Sequence, residues 1–226
     1  MSTLQFSVED WARSAASVIQ DAIQDICAEQ GVCRVMLTGG RSAERLYAAW
    51  RDVPSFQELR SVSFFFGDER CVPPDDPASN YALAMRTLFA RGVPEGCSVF
   101  RIEAEDADRE GLSFRYESLL SSKIDVLLLS VGEDGHIASL FSGNEALFER
   151  SRKVVPVTGS KEPRERITVT PVVIAQSSSI FVLATGEEKA AVFRRVLAAP
   201  HDYVALPACL VKDAIWLLDT ALSMDI

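Results

Sequence analysis

Ile124-Asp125-Val126-Leu127-Leu128-Leu129-Ser130-Val131 runs directly into Gly132-Glu133-Asp134-Gly135-His136. The first eight residues are apolar on both faces when laid out as a strand. That pattern belongs to a strand covered above and below, as in the middle of a parallel sheet. Gly132 ends the run, and two carboxylates and a histidine follow at once. In open α/β sheets ligands sit beyond the carboxyl ends of the strands. One stretch therefore sets two expectations, a central strand and a site at its end.

The same rhythm extends outward in both directions. Ser7 and Asp10 resemble a capping box, and Trp11, Ala15, Val18, Ile19, Ala22 and Ile26 recur at helical spacing up to Gly31. Val32 to Leu37 reads as a strand, Thr38-Gly39-Gly40-Arg41-Ser42 breaks it, and Ala43 to Trp50 is helical again. Val62 to Phe66 is a strand that stops at the charged loop Gly67-Asp68-Glu69-Arg70. Asn80 is expected to cap a helix reaching about Arg91, with a strand over Val99 to Ile102 and a helix over Asp106 to Ser121. Downstream, Lys153 to Val157, Arg166 to Thr170, Ser179 to Ala184 and Ala214 to Leu218 read as extended, and Lys189 to Leu197 as helical. Alternating strands and helices, without repeats or a Gly/Ser linker, predict a single doubly wound α/β domain over 1–226.

Bulk properties exclude several classes. The net charge of −9 argues against nucleic acid and anionic membrane as partners. It leaves room for a small anion, because a few local cations overrule the global sign. The five cysteines show no metal spacing, and a chain of 226 residues buries a core without disulfide staples. No apolar stretch approaches the roughly 20 residues that span a bilayer. No secretory segment opens the sequence, so a cytoplasmic protein is expected.

Three strand ends and two basic positions are candidates for chemistry. Gly39 and Gly40 let backbone approach an anion, the next helix points its N–H groups there, and Ser42 adds a hydroxyl. A plain strand-to-helix turn is the alternative. Asp68, Glu69 and Arg70 follow a Phe-rich strand, where charge is costly unless it is solvated or used. His136 is one of two histidines, and a histidine takes and returns a proton near neutral pH. Asp134 stands two residues before it in a glycine-bracketed turn, placed to fix the tautomer. The bland alternative is a histidine packed at a helix start. Lys189 opens a helix, where the dipole disfavours a cation unless an anion is to be neutralised. Arg164 and Arg166 flank Glu165 before a strand, and these positions, like Lys189, also read as ordinary surface charge.

Together LTGGRSAERLY (37–47), FFGDERCVPPDDPASNY (65–81), DVLLLSVGEDGHIASLF (125–141), RITVTPVVI (166–174) and FVLATGEEKAAVFRRVL (181–197) resemble the 6-phosphogluconolactonases of the glucosamine-6-phosphate isomerase/6-phosphogluconolactonase family. The resemblance implies a Rossmann-like three-layer α/β/α domain with a mostly parallel sheet, as in glucosamine-6-phosphate deaminase-type folds. It implies hydrolysis of 6-phospho-D-glucono-1,5-lactone to 6-phosphogluconate in the oxidative pentose phosphate pathway, without metal or coenzyme. His136 would activate water, and Asp134 would orient the histidine. Gly39, Gly40, Arg41 and Ser42, with Arg166 and Lys189, would hold the phosphate, while Asp68 and Arg70 would line the sugar end. A monomer or weak homo-oligomer is expected.

The chain departs from the family pattern at Ile137, at Ser142 and in TGSKEP (158–163), which lacks the usual Pro-rich run. The last departure leaves Arg164 and Arg166 both in view, with Arg166 preferred because it directly precedes Ile167 and Thr168. Two rival functions set the frame. An amino-sugar-phosphate deaminase looks for a carboxylate a few residues after the histidine, where Ser139, Leu140 and Phe141 stand and Glu145 is distant. A non-catalytic sugar-phosphate sensor usually carries a DNA-binding segment, for which the sequence offers no basic patch.

Overall fold

The computed structural model describes residues 2–219 of the expected 1–226 domain. The first half comprises β1 (Ser2–Phe6), α1 (Trp11–Gln30), β2 (Cys33–Leu37), α2 (Arg41–Trp50), β3 (Val62–Phe66), β4 (Asp68–Arg70), α3 (Asn80–Arg86) and β5 (Ser98–Val99). The second comprises α4 (Arg109–Leu119), β6 (Val126–Ser130), β7 (Val154–Thr158), β8 (Glu165–Val169), α5 (Pro171–Gln176), β9 (Ser179–Ala184), α6 (Glu187–Ala198) and β10 (Ile215–Asp219). Seven strands form one sheet in the order β1-β10-β9-β6-β2-β3-β5, with parallel pairing between neighbours. β6 is central, and Val126 to Leu129 are wholly buried, as the continuous apolar run requires.

The order reverses at β2 and β6. From β2 the chain builds outward through β3 to β5, then returns to β6 on the other side of β2 and builds through β9 to β10. The crevice beyond the carboxyl ends of β2 and β6 is thus the switch point of the sheet, where doubly wound folds bind ligands. The register Val35↔Val126 and Met36↔Leu127 brings the Gly39-Gly40 turn and the Gly132–His136 turn side by side.

Local chemistry explains the helix ends. Gly31 closes α1 at φ 80°, donating its N–H to Cys27 O. The Ser7–Asp10 pair sits one turn earlier: Asp10 N–H donates to Ser7 Oγ and the Ser7 hydroxyl returns to Asp10 Oδ2. Trp11 pins α1 to the sheet through Nε1 donated to Leu217 O at 3.0 Å. Among the described residues no helix is long and apolar enough to cross a membrane.

Several boundaries differ from expectation. Ser79, not Asn80, caps α3, and the helix ends at Arg86 because Phe89 N–H reaches back to Ala84 O and turns Leu88 and Phe89 into the core. β5 is only Ser98–Val99, a short sheet edge. α4 starts late, at Arg109, behind the cap of Asp108. The charged stretch 68–70 is a strand rather than a loop, paired antiparallel with β8 in a second sheet of order β4-β8-β7. His136 does not open a helix: Ile137 bridges back to Val131 and forward to Leu140, making a tight turn.

Candidate active site

A cleft of about 280 Å³ opens at the switch point. The turn after β2 forms one wall, the turn after β6 another, and β4, α6 and the β7–β8 connection complete it. A larger cavity of about 850 Å³ lies at the amino ends of β9 and β10 and has neither histidine nor lysine in its lining. Among the described residues four buried side-chain polar atoms lack partners, and three of them, Arg70 Nε, Asn80 Oδ1 and Ser130 Oγ, belong to residues of the small cleft. Buried polar atoms are almost always paired, so this clustering marks a place built around a polar ligand.

His136 is held by the turn that precedes it. Gly132 N–H donates to His136 O and Gly135 N–H to Gly132 O, both at 2.9 Å. A side chain at 132 is impossible in this arrangement, because a Cβ there would lie 2.1 Å from His136 Nδ1 and Cε1. The imidazole Nδ1 lies 2.5 Å from Asp134 Oδ1, while Nε2 has no hydrogen-bond partner among the described residues. Burial raises the Asp134 pKa, but the His136 hydrogen bond and charge, with the Lys161 ammonium 3.5 Å from Oδ2, outweigh it and hold the carboxyl well below its usual range. An ionised Asp134 that accepts from Nδ1 leaves Nε2 as the basic nitrogen.

The cations divide into buried and exposed groups. Lys189 is 9% exposed and donates from Nζ to Ser42 Oγ at 2.8 Å. Burial, then the nearby Arg41 charge, push its pKa down to about 8. Arg166 is 5% exposed, with Nε on Pro163 O at 2.9 Å and Nη2 on Lys161 O at 3.2 Å, and its burial lowers its pKa. Arg164 is exposed and outside the cleft lining, so of the two arginines the fold brings Arg166 to the cleft. Arg41 is largely exposed and paired with Glu133 and Glu188. Gly40, at φ 92°, starts α2 without a side-chain cap, so the first-turn amides of that helix stay unpaired within it.

Asp68 is buried, accepting from Ser139 Oγ at 2.6 Å and Asn80 Nδ2 at 3.0 Å. Arg70 lines the same wall and donates from Nη1 to Ala78 O. Glu69 points away from the cleft lining and receives the amides of Asn80, Tyr81 and Arg70 and the Ser79 hydroxyl. The carboxylates of Asp68 and Glu69 thus avoid an unpaired burial, while Arg70 is paired through Nη1 and its buried Nε has no partner among the described residues.

Of the residues expected at the site, Gly39, Gly40, Arg41, Asp68, Arg70, His136, Arg166 and Lys189 line the cleft. Asp134 stands behind His136. Ser42 does not line the cleft, since its hydroxyl lies under Lys189 and against Thr185 Oγ1 at 2.8 Å. Sequence reasoning overlooked Asn80, Ser139 and Lys161. Asn80 reads locally as a helix cap, and nothing local marks a serine or an isolated lysine.

The family described as glucosamine-6-phosphate isomerases/6-phosphogluconolactonase matches residues 7–217 of the chain. A 6-phosphogluconolactonase of Rattus norvegicus is 33% identical, with 93% of this chain and 87% of the relative covered. One of Streptomyces coelicolor is 32% identical over 93% of this chain and 88% of its own length. Among solved structures, the 6-phosphogluconolactonase of Trypanosoma brucei superposes with a TM-score of 0.84 at 26% identity, covering 98% of this chain and 97% of that one. A monomeric glucosamine-6-phosphate deaminase shares the fold, with a TM-score of 0.83 at 20% identity and 98% of each chain covered.

Proposed function

The chain belongs to the glucosamine-6-phosphate isomerase/6-phosphogluconolactonase family, and from that premise we propose that it hydrolyses 6-phospho-D-glucono-1,5-lactone with His136 as general base. By kinship it is an enzyme of the 6-phosphogluconolactonase kind, a carboxylic ester hydrolase. The observation that carries the mechanism is the Asp134–His136 pair, bonded at 2.5 Å through Nδ1 with Nε2 free at the switch-point cleft.

A water on Nε2 loses a proton to the imidazole as its oxygen attacks the lactone carbonyl carbon. Asp134 stabilises the imidazolium that results. The tetrahedral oxyanion collapses, the bond to the ring oxygen breaks, and the imidazolium returns the proton to that leaving oxygen. The product is the open-chain acid, and the base is regenerated. Lys189, Arg166 and the Gly39-Gly40 turn hold the phosphate at the far end of the substrate. Asp68 and Arg70 face the sugar, and the Arg70 guanidinium offsets the developing negative charge. Hydrolysis of a reactive lactone asks for one water and one base, so the scheme invokes no metal or coenzyme.

The deaminase alternative asks for a further carboxylate near the histidine. Glu145 is exposed in a short turn and does not line the cleft. Phe141 packs against the imidazole instead. The test is lactone hydrolysis above its spontaneous rate in wild type and His136→Ala. The substitution should remove about 10²- to 10⁴-fold of acceleration while 6-phosphogluconate still binds. Equal rates in the two proteins would falsify the role of His136.

A further inference from the structure

Phe141 is held on three sides by the site. Its ring lies 4.7 Å from the His136 imidazole, centroid to centroid, with 31° between the planes. The Arg166 guanidinium carbon is 5.5 Å from the same ring centroid. Gly159 closes the third side: a Cβ there would lie 2.7 Å from Phe141 Cε2 and 3.0 Å from Cζ, so the β7–β8 connection abuts the rim of the ring as bare backbone. The turn after His136 folds Phe141 back over the histidine, with Leu140 N–H donated to Ile137 O and Ser139 anchored on Asp68.

The hydrogen bond that Nδ1 donates to Asp134 restrains one atom of the imidazole. The ring can still shift by small rotations about its Cα–Cβ and Cβ–Cγ bonds, which would swing Nε2 away from an attacking water. A flat neighbour whose centroid lies 4.7 Å away, tilted by 31°, limits that freedom, because a contact between two flat rings constrains the plane of each as well as its position. A branched aliphatic side chain of similar bulk fills space without setting a plane.

We propose that Phe141 is a positioning residue for His136, its ring holding the imidazole in the plane that directs Nε2 into the cleft. The proposal rests on the reading of His136 as general base. Phe141 itself touches neither water nor lactone in the scheme. Its loss should therefore lower turnover and leave substrate binding alone.

The experiment compares Phe141→Leu, Phe141→Tyr and His136→Ala by steady-state lactone hydrolysis, with 6-phosphogluconate as product inhibitor and thermal melts as the folding control. Phe141→Leu is expected to lose about tenfold in kcat, since small misplacements of reacting groups cost that much or more. Its KM and inhibition constant should stay within about twofold of wild type. Phe141→Tyr keeps the flat face and should retain most of kcat. Unchanged kcat in Phe141→Leu overturns the proposal. So does a rise in KM and inhibition constant matching the fall in kcat, or a Tyr variant as slow as the Leu variant. If Phe141→Leu does not fold, Phe141→Met, which also lacks a flat face, is read against the same criteria. A His136→Ala protein as fast as wild type sinks the base reading itself. A slow His136→Ala beside an unimpaired Phe141→Leu sinks only the role of Phe141.

Discussion

Lys189 holds its ammonium in a nearly closed position on Ser42, and that burial has a functional consequence. With its pKa pushed down to about 8, the side chain is cationic at neutral pH and loses its proton just above it. If Lys189 holds the phosphate as proposed, the protonated form attracts it, so affinity should be greatest below about pH 8 and fall as the pH rises through that value. The KM for the phosphorylated lactone should climb on the alkaline side. Lys189→Met should raise KM at neutral pH by about 10- to 100-fold, the worth of a charged hydrogen bond, and flatten the alkaline climb. Measuring KM from pH 6.5 to about 9, with the spontaneous hydrolysis subtracted, checks both halves; a climb that survives the substitution assigns the titration to another group. At this scale the Asp134–His136 pair was legible because its members are two residues apart in a glycine-bracketed turn. Ser42 reads from the sequence as a phosphate ligand, and the fold places its hydroxyl under Lys189, a residue from a distant helix.

β4 and α3 show how an element can be built from charge. Glu69 closes the start of α3 by receiving the amides of Asn80 and Tyr81 at 2.7 and 2.8 Å, at a position where the helix dipole favours an anion. Burial raises its pKa, and these amide hydrogen bonds oppose the rise. Glu69→Ala leaves buried N–H groups unpaired and should cost about 2–4 kcal/mol of stability, read from the denaturant midpoint. KM should rise as well, because Asn80 braces Asp68. A midpoint within error of wild type would mean that α3 does not depend on this cap. Legibility varies sharply among the elements. β3 and β6 were evident from continuous apolar runs, since both are buried. β1 was missed because it is an edge strand with mostly exposed side chains and little apolar pattern. α5 was hidden because Val172, Val173 and Ile174 suit a strand as well. Pro171 at the first helical position and the Thr170 hydroxyl receiving Val172 N–H start a helix there instead.

Across the whole molecule, the buried body of the sheet carries stability, and the cleft lies at the carboxyl ends of its strands. Leu128 is wholly buried in β6, opposite Phe181 of β9, inside the central sheet. Leu128→Ala should lower unfolding free energy by about 2–5 kcal/mol while KM and kcat per folded molecule stay near wild type. Denaturant unfolding and active-site-normalised kinetics separate the two, and a changed KM would show that the core strand and the cleft are coupled. The sequence alone determined the alternating α/β plan, the central strand and the Asp-Gly-His turn at its end. These depend on periodicity and near-neighbour spacing, which a chain carries in one dimension. Tertiary structure decided the strand order, the small antiparallel sheet that makes a strand of Asp68–Arg70, and that Arg166 rather than Arg164 lines the cleft. It also decided the meeting of Asp68, Asn80 and Ser139, and of Phe141 with Arg166 and Gly159. Each of those contacts joins segments far apart in the chain. Their energies come from packing and from pairing buried polar groups, and neither leaves a local pattern in the sequence.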